Sequence, residues 1–541
     1  MLAFSGVGGI AVQGTELLLL ALVVAVAGLS VLAGSVGVPY PILLVLGGLV
    51  LGFVPGVPPV ELPPELVLVL FLPPLLYWAG FFSSPRDLKA DLRTISLLAV
   101  GLVLATMGAV AVTAHALVGG LPWAAAFTLG AIVSPTDALA ATATARRLGV
   151  PRRLVTLIEG ESLVNDATAL VAYRIAVAAA VGGGFRLWEA GLRFVVGAVG
   201  GVAIGLMVGW LIAEVRRRLD DPVVEIVVSL VTGFAAYLPA ERLGVSGVLA
   251  AVTSGIYVGW RAPGLASAST RLLGFSFWEV LVYLLNAVLF ILVGLQLHPI
   301  LSGLTGHSAA SLLGQAALAS AVVIATRIAW GFTVPYLIRL LDRRPSQVAR
   351  RIGPRERLLV GWSGMRGALS LAAALALPLA VRSPAGQAFP ERNLIVFITF
   401  AVIFATLVVQ GLTLRPLIRR LKIRDDGAEQ REELQARLAA TDAALGRLDE
   451  LAGQARTSQE KVERLRGVYQ HRRQRLSAQA DMVDDDASEQ RSLAYQNLVR
   501  ELLEAQRRAI VRLRNQGEIS NDVMHRVERD LDLEDSRLEA L

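Results

Sequence analysis

The chain has 541 residues, 54% of them hydrophobic, and a mean hydropathy of +0.59, which excludes an ordinary soluble globular protein of this length. It contains no cysteine, so disulfides and thiolate metal centres are excluded. The net charge of +7 is divided: residues 1–424 carry 32 Lys+Arg against 19 Asp+Glu, whereas residues 425–541 carry 19 against 25. That division predicts a basic transmembrane domain over 1–424 and an acidic helical cytoplasmic tail over 425–541, with a regulatory use. The basic excess lies in short turns between apolar segments, so no nucleic-acid partner is expected.

A spanning helix needs about 20 apolar residues. Segments of that kind are predicted at 15–34, 39–55, 65–83, 94–119, 122–145, 154–180, 190–214, 223–240, 245–260, 275–297, 312–338, 356–381 and 393–418. The expected fold class is therefore an all-α polytopic membrane protein of about thirteen helices. The first segment lacks a basic leader region and reads as a true helix rather than a cleaved signal. With the N-terminus outside, the inner turns hold nineteen basic residues, among them Arg86, Arg146, Arg216, Arg261, Arg271 and the run from Arg339 to Arg357. The outer turns hold five, Arg186, Arg193, Arg242, Arg382 and Arg392. This asymmetry satisfies the positive-inside rule and puts the tail in the cytoplasm. In the tail, Leu434, Leu438, Leu445, Leu448 and Leu451 recur at helical spacing, as does the stretch from Leu493 to Leu513, with an acidic break at Asp484–Asp486 between them.

The chemistry is concentrated in the sixth segment. A carboxylate at bilayer depth costs roughly 2.5–3.5 kcal/mol on insertion scales, and persists where it is paired, hydrated or used. Within Glu161-Ser-Leu-Val-Asn-Asp166, Ser162 and Asp166 are four apart, as are Glu161 and Asn165, so each pair shares a helix face. Oxygen donors of this kind suit a small hard cation such as sodium. Low-dielectric surroundings also disfavour an ionised carboxyl. A proton and a cation then compete for one group, which is the minimum machinery of exchange. The fifth segment supplies Ser134-Pro-Thr-Asp137, where the proline breaks the helix and frees a carbonyl. The Thr136 carbonyl and the Asp137 carboxylate are the expected partners of Asp166, with Asp137 also able to cap the following half-helix. The twelfth segment supplies Gly361-Trp-Ser-Gly-Met-Arg366-Gly367, which reads as a locally unwound helix. Buried Arg366 needs a counter-charge, and Glu161 is the expected one, giving a structural ion pair. Glu159 is expected to line an access funnel, Arg174 and Arg327 to be structurally paired, and Glu225 and Glu279 to be solvated near helix ends. Breakers at matching places in segments five and twelve fit two inverted six-helix repeats whose broken helices cross at the site.

The segments Ser-Pro-Thr-Asp137, Gly-Glu161-Ser-Leu-Val-Asn-Asp166 and Gly-Met-Arg366-Gly-Ala-Leu-Ser370 resemble the sodium–proton exchangers of the NhaP/NHE-like branch of the monovalent cation–proton antiporters. The resemblance covers roughly residues 15–420. Arg500-Glu-Leu-Leu-Glu and Gly517-Glu-Ile-Ser resemble the tails of some bacterial members more weakly. It implies a homodimer in the bacterial inner membrane, a dimerisation subdomain beside a moving core subdomain, and elevator-like alternating access. It also implies that Asp166 carries both cation and proton, that Ser162, Asp137 and Thr136 help coordinate the transported Na+, that Asn165 organises the site, and that Glu161 pairs with Arg366. One place departs from the pattern: members often carry an acid four residues after the Pro-Pro of the third helix, where this chain has Trp78.

Relatives with two consecutive acids at 165–166 are associated with electrogenic exchange. Asn165 here predicts a single titrating carboxylate and electroneutral one-for-one exchange of Na+ (or Li+) for H+. The alternatives are K+/H+ antiport on the same scaffold and a transport-inactive membrane sensor. An enzyme is not expected, because no nucleophile–base pair or metal-ligand set appears, and no cofactor is implied.

Overall fold

The computed structural model describes residues 8–541 apart from 56–66, 183–186, 305–307, 342–351, 379–388, 424–426, 453–458, 482–485 and parts of 517–541, with the side chains of 8–21, 187, 338–341 and 478–500 also outside the description. Arg186, Arg382, Gly517, most of the basic run between Arg339 and Arg357, and most of the acidic break at 484–486 therefore lie outside it. The chain divides into two compact units, Met1–Asp425 and Asp426–Leu541.

In the first unit the helices are α1 (Gly8–Val36), α2 (Tyr40–Gly52), α3 (Leu72–Phe82), α4 (Val103–Leu117), α5 (Trp123–Val133), α6 (Leu139–Arg147), α7 (Arg152–Gly182) and α8 (Leu187–Arg216). They continue with α9 (Pro222–Arg242), α10 (Gly247–Arg261), α11 (Ala268–Leu295), α12 (Ala309–Leu341), α13 (Pro354–Trp362), α14 (Ala368–Leu375), α15 (Arg392–Ala405) and α16 (Gly411–Leu421). Every expected apolar segment carries helix, and among the described residues seven helical stretches are individually long and apolar enough to span a membrane. The others are short or interrupted. Wider π-helical turns precede α3 and α4 and join α15 to α16.

Two interruptions matter for the site. Helix α5 stops at Val133 because Pro135, one residue past the cap, supplies no N–H to continue the helical ladder. Helix α13 stops at Trp362, and the extended run through Gly364 and Gly367 precedes α14. The two breaks touch: the Asp137 amide donates to the Met365 carbonyl at 2.8 Å, satisfying backbone groups that the missing helical turns would leave bare inside the membrane.

Elsewhere small residues bring helices to backbone contact. A Cβ on Gly48 (α2) would strike the Ile291 carbonyl of α11, and one on Gly294 (α11) would strike α2 in return. In the same way Gly255 of α10 lies against the Tyr77 carbonyl of α3. Membrane helices pack by such approaches because lipid supplies no hydrophobic drive between them.

Two expectations about charge are corrected. Glu225 is not solvated: it is 1% exposed, receives Arg216 at 3.2 Å and accepts from the Thr270 hydroxyl at 3.0 Å. Its helix, α9, starts beside the end of α8, so a residue in the first turn is covered by the neighbouring helices. Glu279 is exposed, but it stands well inside α11, which begins at Ala268 rather than near 275.

The second unit holds α17 (Ala428–Ala452), α18 (Gln459–Asp481) and α19 (Asp486–Asn515). Helices α17 and α18 form an antiparallel pair, with Arg466–Asp449 and Arg473–Asp442 ion pairs each at 2.6 Å. Leu503 of α19 packs against Ile510 and Leu531.

Candidate functional site

The site is built where the α5–α6 break meets the middle of α7. The Ser162 hydroxyl donates to the Thr136 carbonyl at 2.9 Å, the carbonyl freed by the interruption. The Thr136 hydroxyl accepts from the Asn165 side-chain nitrogen at 2.7 Å and donates to Glu161 at 3.2 Å. One threonine thus ties the break to three positions of α7. Asp137 accepts from the Leu139 amide at 2.9 Å and so caps α6. Its other carboxylate oxygen lies against Gly367, where any Cβ would collide with it. The crossing is therefore close enough only for glycine at 367.

Glu161, Asn165, Thr136 and Arg366 are buried, whereas Asp166, Ser162 and Asp137 keep partial access. Among the described residues the Asp166 carboxylate makes no hydrogen bond and no ion pair. The Asn165 carbonyl oxygen is buried without a donor. Tyr40, whose ring is 5.1 Å from that of Tyr283, stands within electrostatic reach of Asp137. Asp166, Asp137, Ser162 and Asn165 thus supply oxygen atoms, with no basic side chain paired to Asp166. That arrangement can hold a cation, or a proton in its place.

The expected Glu161–Arg366 pair is not formed. Glu161 is paired with Arg327 of α12, one guanidinium nitrogen on each carboxylate oxygen, the second contact at 2.8 Å. Both side chains are almost wholly buried. The Arg327 side chain also donates to the Val360 carbonyl at 3.1 and 3.3 Å, and it passes Gly364 where a Cβ would obstruct it. Arg366 instead turns into the breaks. It donates to the Val133 carbonyl at 3.1 Å and to the Gly364 carbonyl, while its amide donates to Thr406 at 3.1 Å. The physical reason is that the interrupted helices leave carbonyls exposed to a low-dielectric interior, and the guanidinium's five donors satisfy them. Arg366 acts as a clamp on the ends of α5 and α13. Sequence spacing could not separate these two arginines as partners of Glu161; the available signal was Arg327 itself, a cation in the middle of a 33-residue apolar helix.

The remaining charges find simple partners. Glu159 accepts from Arg146 at 2.6 Å at the accessible end of α7. Arg174 pairs with Glu241, joining α7 to α9. Trp78 packs against Trp278, ring centroids 5.1 Å apart.

The model of the sodium/hydrogen exchanger transmembrane family matches residues 19–420. An uncharacterized Na(+)/H(+) exchanger of Mycobacterium tuberculosis is 39% identical over 96% of this chain and 95% of its own length. The Na(+)/H(+) antiporter ApNhaP of Aphanothece halophytica is 35% identical over 76% of this chain and 75% of its own. Among solved structures, the sodium proton antiporter MjNhaP1 of Methanocaldococcus jannaschii superposes with a TM-score of 0.58 at 19% identity, covering 76% of this chain and 99% of that one.

Proposed function

Because the chain belongs to the sodium/hydrogen exchanger family, we propose that it exchanges Na+, with Li+ as a second substrate, for H+ at Asp166 in a one-to-one ratio. The observation that carries this reading is the division of labour among three neighbouring carboxylates. Glu161 is neutralised by Arg327 and Asp137 is held as the cap of α6, while Asp166 has no partner among the described residues and keeps access. One group is then free to trade a proton for a cation. Asn165 contributes an amide rather than a second acid, so one charge enters as one leaves.

Asp137, Ser162, the Thr136 carbonyl and Asn165 are assigned as the oxygen shell of the transported ion, and Glu159 as part of the access funnel. The chain is read as a transporter without enzymatic activity. It is placed in the bacterial inner membrane as a homodimer, N-terminus outside and tail inside, exporting sodium at the expense of inward protons. Alternating access is assigned to an elevator motion. The glycine-stitched helices α1–α3 and α8–α11 form the fixed body, and the helices around the breaks form the moving one.

Everted membrane vesicles with a pH-gradient dye test the reading: NaCl relieves the quench in the wild type, and Asp166→Asn abolishes the response. Exchange that survives in Asp166→Asn removes the central assignment. A KCl arm decides between Na+ and K+ as substrate.

A further inference from the structure

A second built site lies away from the broken helices, at the end of the bundle that carries the arginine-rich turns. There the ends of α3, α8 and α10 and the starts of α9 and α11 enclose a cavity of about 470 Å³, a size that accommodates a headgroup and the first methylenes of its chains. One wall is a fixed aromatic stack. Trp78 lies nearly parallel to Trp278 (5.1 Å, 10°) and to Phe81 (5.8 Å, 4°). Trp278 is held in turn by donating to Ser229 at 2.9 Å.

The floor is polar and buried. Arg216, 5% exposed, gives one nitrogen to Glu225, while its Nε has no hydrogen-bond partner among the described residues. Glu225 is already satisfied by Arg216 and Thr270. At the rim, exposed Arg271 uses one nitrogen on the Ala266 carbonyl at 2.7 Å. Among the described residues the unspent hydrogen-bonding capacity of the lining is thus guanidinium N–H together with the Tyr77 hydroxyl, donors that suit an anionic acceptor. The walls select an apolar body. The large apolar side chains around the cavity, Phe82, Trp260 and Leu272, are 57–63% exposed, as befits helices surrounded by lipid at the level of the membrane interface.

We propose that this cavity binds an anionic phospholipid, its phosphate on Arg216 and Arg271 and its upper acyl chains along the Trp78–Trp278 wall. The place where relatives carry a third-helix acid is, in this chain, part of a lipid-binding wall instead. A carboxylate at 78 would oppose the anion that the two arginines attract.

The test uses the purified full-length protein in neutral detergent, titrated with dioleoyl phosphatidylglycerol, dioleoyl phosphatidylcholine or glycerol 3-phosphate. Retained lipid is read by native mass spectrometry and stability by melting temperature. Phosphatidylglycerol is retained and raises the melting temperature, and the other two do neither. Gly274→Phe fills the cavity without changing a charge, since a Cβ there meets only Ile226 at 3.8 Å, and it removes the phosphatidylglycerol response. Arg271→Gln, an exposed change that tests the same contact should Gly274→Phe fail to fold, weakens retention about tenfold. Equal retention of phosphatidylcholine, an equal response to glycerol 3-phosphate alone, or undiminished binding in Arg271→Gln overturns the proposal.

Discussion

Arg327→Gln removes the guanidinium from a pair whose members are 2% and 1% exposed. Glu161 is left with the Thr136 hydroxyl alone, at 3.2 Å, and the Val360 carbonyl loses both of its arginine contacts. Breaking a buried pair from one side costs about 3–5 kcal/mol, because the surviving charge stays desolvated, whereas replacing both partners by neutral groups is often close to neutral. The double variant Glu161→Gln with Arg327→Gln is therefore expected to recover most of the loss. The coupling energy is expected to reach at least about 2 kcal/mol, within the range of contacting residues. Equilibrium unfolding of the purified protein in mixed micelles, followed by tryptophan fluorescence, measures the three free energies. The parallel cycle of Glu161→Gln with Arg366→Gln serves as the contrast and gives little coupling, since Arg366 spends its donors on the Val133 and Gly364 carbonyls. Additive single changes at 161 and 327, or stronger coupling to 366 than to 327, refute the reasoning.

Gly367→Ala places a methyl against the Asp137 carboxylate and is expected to raise the half-saturating Na+ concentration at least about tenfold, the equivalent of 1.4 kcal/mol; an unchanged value means that the position of Asp137 is immaterial to the ion. Asn165→Asp adds a second acid beside Asp166 and is expected to convert electroneutral exchange into exchange that carries a current in proteoliposomes. A wild-type current that reverses with membrane voltage contradicts the one-to-one ratio directly. Truncation at Arg424 removes the tail and is expected to leave exchange intact while shifting its pH profile. A profile that does not move withdraws the regulatory role of the tail.

The sequence by itself determined the membrane class, the two helix breaks and the constellation of α7. Those properties are local. Apolar length reports a spanning segment, proline and clustered glycines report interruptions, and a four-residue repeat puts Ser162 with Asp166 and Glu161 with Asn165 on shared faces. Each expected apolar segment carries helix among the described residues, but seven helical stretches are individually long and apolar enough to span, and length alone does not say how far the interrupted ones cross. What only the tertiary structure decided is which distant groups meet. Arg327 is 166 residues from Glu161, and Arg366 is 233 from Val133. Both arginines are buried cations in apolar surroundings, and nothing local separates their needs. The choice follows from packing. Arg366 lies within the break between α13 and α14, beside carbonyls that no helix satisfies, and spends its donors there, whereas Arg327, in the middle of α12, meets Glu161 and neutralises its carboxylate. Glu225 repeats the lesson: a first-turn acid reads as solvated until five helix ends close around it.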